Sequence, residues 1–115
     1  MRNLNRGDVV FVDFPNSDQQ GAKRRPAVVI QADNLRTGLR QLVLAMITSQ
    51  QFRAGHPSRV SISLAMPEGQ QSGLIHDSIV MTDNLSTMDE TLIRRRLGSL
   101  PMDKIDAALR HTLNL

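Results

Sequence analysis

Apolar positions along this chain fall into short runs separated by glycine, proline and asparagine, and only the last fifteen residues carry a helical period. The first run, Val9 to Phe14, follows an Arg6-Gly7-Asp8 turn and stops at Pro15, which predicts a strand. Asn16 to Ala22 is polar and contains glycine, the composition of a loop. Pro26 to Gln31 predicts a second strand, and Arg25, standing before a proline, is held in extended geometry at its start. Ala32 to Gly38 suits either a helical turn or an irregular connection. Gln41 to Ser49, QLVLAMITS, is apolar enough to predict a third strand buried on both faces.

Beyond a loop at Gln50 to Pro57, Arg59 to Leu64 alternates apolar and polar, as a half-exposed strand does. A turn at Pro67-Glu68-Gly69 and a loop at Gln70 to His76 lead to a strand at Asp77 to Thr82, closed by Asp83 and Asn84. Thr87 and Glu90 have capping-box spacing, which predicts a short helical turn over Thr87 to Ile93, and Arg94 to Leu97 follows as a last short strand. In the final helix Pro101 takes the first position, and Met102, Ile105, Ala108, Leu109 and Leu113 share one apolar face. Its acidic Asp103 and Asp106 and basic Arg110 and His111 complement the helix dipole. Five or six strands with no βαβ alternation, plus a terminal helix, predict a mainly β fold: an antiparallel sheet closed or nearly closed into a small barrel.

Composition narrows the class. A chain of 115 residues is one domain, 1–115, without an internal repeat. No apolar run approaches ~18 residues and no signal-like start is visible, so a cytoplasmic protein without membrane contact is expected. The absence of cysteine excludes disulfides and thiolate zinc sites, and His56, His76 and His111 lack ligand spacing, so no metal or other cofactor is expected. Net charge is only +3, but the cations cluster at Lys23-Arg24-Arg25 and Arg94-Arg95-Arg96, and only Lys23 and Lys104 are lysines. The planar guanidinium fork matches phosphate oxygens where an ammonium does not. The clusters therefore admit two readings, a solvated charge run or a phosphate grip.

Taken together, Arg6-Gly-Asp-Val-Val-Phe-Val-Asp-Phe-Pro15, Arg24-Arg-Pro-Ala-Val-Val-Ile30, Ile47-Thr-Ser49, Asp77-Ser-Ile-Val80, Asp83-Asn-Leu85 and the Leu97-Gly98 approach to the terminal helix resemble the MazF/PemK (Kid-like) toxin endoribonuclease family over nearly the whole length. The resemblance implies an SH3-like barrel with a C-terminal helix, of the MazF/Kid/CcdB kind, that cuts single-stranded RNA without metal as the toxin of a type II toxin-antitoxin pair. It places the family's catalytic arginine and threonine on Arg25 and Thr48. It further implies a homodimer with RNA running along the interface, and an acidic antitoxin that covers the same basic surface.

That chemistry suits the residues. When a ribose 2′-hydroxyl attacks its own phosphate, a fixed arginine stabilises the extra charge on the phosphoryl oxygens, and a stiff threonine hydroxyl donates to one of them. Neither is a ready base, so His76 and Asp77 are candidates to assist proton transfer. Arg24, Ser49, Phe52, His76 and Asp77 complete the expected substrate-binding set, with Ser49 equally suited to turning the chain and His76 to an ordinary loop position. Two departures stand out. Ser86 occupies a position where many relatives carry arginine, and with Phe11 and Phe14 reading as structural, base stacking falls mainly to Phe52. Two other readings share the barrel and the cations: a toxin that inhibits a protein such as DNA gyrase, and an RNA-binding module without catalysis.

Overall fold

A computed structural model of the protein describes residues 3–15 and 22–115. Its elements run β1 (Asp8–Pro15), β2 (Ala22–Val29), β3 (Gln41–Thr48), β4 (Arg59–Ile62), α1 (Pro67–Ser72), β5 (Ser78–Asp89), a 3-10 turn (Glu90–Leu92), β6 (Ile93–Ser99) and α2 (Asp103–Leu113). The six strands form one antiparallel sheet in the order β4-β5-β3-β2-β1-β6. The predicted loop at Asn16 to Ala22 lies outside the described residues, except that Ala22 already belongs to β2.

Both faces of the sheet are buried, which explains why the central strands read as unbroken apolar runs. One face packs Val9, Val28, Ala45, Ile47, Val60 and Val80 under Ile105, Ala108 and Leu109 of α2. The other gathers Val10, Val12, Ala27, Val29, Leu44 and Met46 with Met88 and Ile93. Residues from the far end of β5 and the start of β6 reach this second face because the sheet curls. Register shifts in β1, at Val9/Val10 and Phe11/Val12, and in β3, at Ala45/Met46, supply the bends. The edges, β4 and β6, are not paired to each other, and α1 lies across the gap. A Cβ on Gly69 would come within 1.9 Å of the Ser63 carbonyl oxygen beside β4, and one on Gly98 of β6 within 2.3 Å of the Gln71 carbonyl oxygen. Only glycine allows either approach.

Several boundaries differ from the sequence reading for one reason, that an available ladder partner outweighs a local turn preference. β2 begins at Ala22, so Lys23, Arg24 and Arg25 are strand residues opposite Phe14, Asp13 and Val12, not loop cations. β5 passes through Asp83 and Asn84 without ending, absorbing them where its pairing with β3 skips from Met81 to Leu85. Thr87 consequently faces Val43 inside the ladder and caps nothing. The cap of the 3-10 turn is Asp89, whose carboxylate accepts from the Thr91 backbone N–H at 2.9 Å and the Thr91 hydroxyl at 2.8 Å. These hydrogen bonds, the backbone one first, with Arg40 nearby, hold the Asp89 carboxyl below its ordinary pKa. Pro67 starts a short helix where a turn was expected, ended by Gly73 in the left-handed region, and α2 starts at Asp103 with Leu113 half exposed at its end.

Polar pins hold α2 in place. The Arg6 guanidinium donates to the Ile30 carbonyl at 2.8 Å and to Asp106 of α2 at 2.6 Å. Near the other end of the helix, Thr82 Oγ1 donates to the Ser58 carbonyl at 2.6 Å and lies 2.7 Å from Thr112 Oγ1, which in turn reaches Ser58 Oγ at 2.8 Å. No helix among the described residues is long and apolar enough to cross a membrane.

Candidate functional site

The ladder between β2 and β3 fixes where the two expected catalytic residues stand. Its pairs are Val29 with Leu44, Val28 with Ala45 and Ala27 with Met46. Ala27 with Met46 is the last pair of this ladder, and extending its register two positions, past the proline that cannot donate to it, would bring Arg25 opposite Thr48. Alternation confirms that they share a face: Arg25 is the cross-strand partner of Val12 on β1, and Thr48 that of Ile79 on β5. Arg25 and Thr48 thus project from one face of neighbouring strands, just beyond the end of the ladder.

Their environments suit an anion. Arg25 is exposed and makes no hydrogen bond or ion pair among the described residues. Arg24, one position away and facing the other side, is instead tied to Asp13 at 3.4 Å, a carboxylate that also holds Arg94 at 3.3 Å. Thr48 is half buried, and its Oγ1 accepts a hydrogen bond from the Gln50 backbone N–H at 3.1 Å. That contact orients the oxygen and leaves the hydroxyl hydrogen to be donated.

The remaining predicted residues divide between two sides of the same strand ends. Ser49 and His76 line a cavity of about 240 Å³ on the side opposite Arg25 and Thr48, together with Phe11, Pro26, Leu74 and Arg95. Neither the Ser49 hydroxyl nor the His76 ring has a hydrogen-bond partner among the described residues. Asp77 has a structural duty: one carboxylate oxygen accepts from the Leu64 backbone N–H at 2.8 Å, while the other has no partner among the described residues. Phe52 stands 72% exposed in the following loop, beside Arg53 whose φ of 60° marks a tight reversal. Arg24, Ser49, Phe52, His76 and Asp77 thus lie around one end of the barrel, with Arg24 sharing the Asp13 carboxylate with Arg94 and Phe52 exposed.

Two features of this end escape a reading of the sequence. Gln51 Nε2 donates to the Ser49 and Asp77 carbonyls, both at 3.3 Å, tying the end of β3 to the start of β5. A lone glutamine in a polar loop carries no signal of that bridge. Arg95 places its guanidinium carbon 5.5 Å from the Phe11 ring centroid. The pairing of Phe11 with Arg95 depends on the bulged register of β1 and β6, which the sequence does not display. No group of three or more His, Asp or Glu side chains that could hold a metal occurs among the described residues.

Comparison with known proteins agrees with this architecture. A family described as the PemK-like, MazF-like toxin of type II toxin-antitoxin systems matches residues 5–113. The chain is 32% identical over 117 aligned residues to an endoribonuclease MazF6 of Mycobacterium tuberculosis, covering 97% of this chain and 98% of the relative. It is 31% identical to endoribonuclease EndoA of Bacillus subtilis, with 97% and 96% covered. Among solved structures, a mycobacterial endoribonuclease in complex with its cognate antitoxin superposes with a TM-score of 0.76 at 22% identity, covering 97% of this chain and 96% of the other. A MazE-MazF structure from Deinococcus radiodurans gives 0.73 at 20% identity, with 99% of each chain covered.

Proposed function

The chain belongs to the family of PemK-like, MazF-like toxins of type II toxin-antitoxin systems, and from that premise we propose that it is a sequence-selective, metal-independent endoribonuclease acting through Arg25 and Thr48. The observation that supports this most is that Arg25, without an ion-pair partner among the described residues, and Thr48 stand on one face of neighbouring strands, two positions beyond the last pair of the β2–β3 ladder. The strands beneath hold both groups, so little reorganisation is needed when a phosphodiester enters between them.

In the reaction, the ribose 2′-oxygen forms a bond to phosphorus, the bond to the 5′-oxygen breaks, and a 2′,3′-cyclic phosphate remains on the upstream fragment. Charge gathers on the non-bridging oxygens, where Arg25 gives two parallel N–H donors and Thr48 an O–H donor. Of the two candidates for taking the proton from the 2′-hydroxyl, His76 opens onto the cavity on the far side of the strand ends, so the role is assigned to Asp77, which shares the Thr48 face and has one carboxylate oxygen without a partner among the described residues. A proton must also reach the departing 5′-oxygen. Ser49, Phe52 and Arg24 are assigned to substrate binding around this centre.

The same reading assigns two protein partners. A second copy of the chain forms a homodimer that extends the RNA path, and an acidic antitoxin lies over the surface that carries Lys23 and Arg25, closing it to phosphate. The antitoxin complex of the mycobacterial relative supports such a partner. The setting is the cytoplasm, where messenger, ribosomal and transfer RNA are all present.

Purified protein incubated with a long RNA in EDTA tests the reading. Defined fragments ending in cyclic phosphate are expected. RNA left intact across varied sequences would refute it and return the barrel to a binding role.

A further inference from the structure

We propose that the 240 Å³ cavity behind the strand ends is a nucleobase pocket that reads one base next to the cleaved bond, with the Arg95 guanidinium as its stacking surface and Ser49 and His76 as the groups that read the base edge. This rests on the endoribonuclease reading above and assigns that site a specificity pocket.

Size and lining favour a flat heterocycle. The cavity is smaller than the ~300–1,000 Å³ of clefts for drug-sized ligands, so it suits a single ring system. Its walls are mainly apolar, from Pro26, Leu74 and Leu97, and two polar side chains open onto it without a partner among the described residues. The third hydroxyl, that of Ser78, is already spent on the His76 carbonyl at 2.8 Å. Edge recognition therefore falls to Ser49 and His76. Arg95 has Phe11 against one face and no carboxylate partner among the described residues, so its other face can take a base.

Position favours the nucleotide beside the scissile phosphate. Ser49 follows Thr48 and Pro26 follows Arg25, and neighbouring Cα atoms are only ~3.8 Å apart. The phosphate grip and the cavity are thus adjacent in the chain but open to opposite sides of the strand ends. A base seated in the cavity is turned out of its stack while its phosphate stays with Arg25 and Thr48, the splayed geometry in which single-stranded RNA is read.

Two measurements test this. The ends produced from a randomised RNA pool are sequenced for the wild type, for Arg95→Ala and for Ile75→Trp, a change at the exposed rim of the cavity that crowds its mouth. Both variants should flatten the preference at one position flanking the break and lower kcat/KM for the preferred sequence by roughly tenfold or more. Separately, the wild type is titrated into oligonucleotides that carry a 2′-deoxy nucleotide at the cleavage position and 2-aminopurine at each position in turn. Fluorescence should change strongly at the same single position. Wild-type protein that leaves the pool intact overturns the nuclease reading and the pocket with it. Cleavage with unchanged preferences in folded variants, or 2-aminopurine signals that respond at no position, overturns the pocket alone.

Discussion

The two ends of this barrel treat polar groups in opposite ways. Where α2 lies on the sheet, Arg6 is engaged by a carbonyl and a carboxylate, and the hydroxyls of Thr82, Thr112 and Ser58 satisfy one another, with Thr82 fully buried. At the ends of β2 and β3, Arg25 has no partner among the described residues and Ser49 and His76 open onto a cavity unpaired. Partnered polar groups lock a fold, while unpartnered ones at rigid positions wait for a ligand. Variants at the first end should therefore cost stability and spare cleavage, and variants at the second should do the reverse.

The largest expected effect is that of Arg25→Ala. It removes the guanidinium proposed to grip the phosphate beside Thr48, and cleavage should fall by about 10³-fold or more, since a single neutral donor to a developing oxyanion already contributes ~10²–10³. The melting temperature should stay near that of the wild type, because no described contact is lost. Single-turnover cleavage of a defined RNA, measured beside a thermal melt, checks both halves. A variant that melts early or cuts at the wild-type rate would erase the contrast between the ends.

Thr48→Ala should cost about 10²-fold in turnover, less than Arg25→Ala because a neutral hydroxyl is the weaker donor. Thr48→Ser should recover much of the loss. Without that recovery, the role of Thr48 would lie in its β-branched packing and not in its hydroxyl.

How much of this was open to the sequence depends on the range of the interaction concerned. β1 and β3 were legible because burial on both faces leaves a dense apolar signature in a few consecutive residues. The proposal of Arg25 and Thr48 comes from family resemblance, and the strands add that both stand on one face just beyond the last β2–β3 pair. Long-range partners hid the rest. Asp83 and Asn84 look like a strand end until β3 carries the ladder past them, and Thr87 looks like a cap until Val43 pairs with it. Gln51 and the stack of Arg95 on Phe11 depend on bulges and loop closure, which leave no local pattern.

At the sealed end, Thr82→Val keeps the shape and deletes the hydroxyl, leaving the Ser58 carbonyl and Thr112 with one partner fewer. The expected cost is about 1–3 kcal/mol, and a 1 kcal/mol loss in a domain of this size lowers the melting temperature by roughly 4 °C. Cleavage measured well below the transition should be unchanged. Reduced turnover in the fully folded variant would mean that the two ends are coupled.

Asp89 separates the two variables that the comparison confounds, because it is partnered like Thr82 but exposed like Arg25. Its carboxyl is depressed chiefly by the hydrogen bonds from Thr91, so the folded state favours the ionised form. The sign follows: this stabilisation is fully present above the unfolded carboxylate pKa and is lost as pH falls through the lowered folded value. Asp89→Asn keeps an acceptor for the Thr91 N–H and removes the titration. The wild type should therefore melt slightly higher than Asp89→Asn at neutral pH, with the difference shrinking in acid, and this should be the smallest effect of the series because solvent screens an exposed carboxylate. A gap that stays constant from neutral to strongly acidic pH would remove the charge from the explanation. If the gap at neutral pH equals that of Thr82→Val, partnering alone would set the structural worth of a polar group, and burial would not matter.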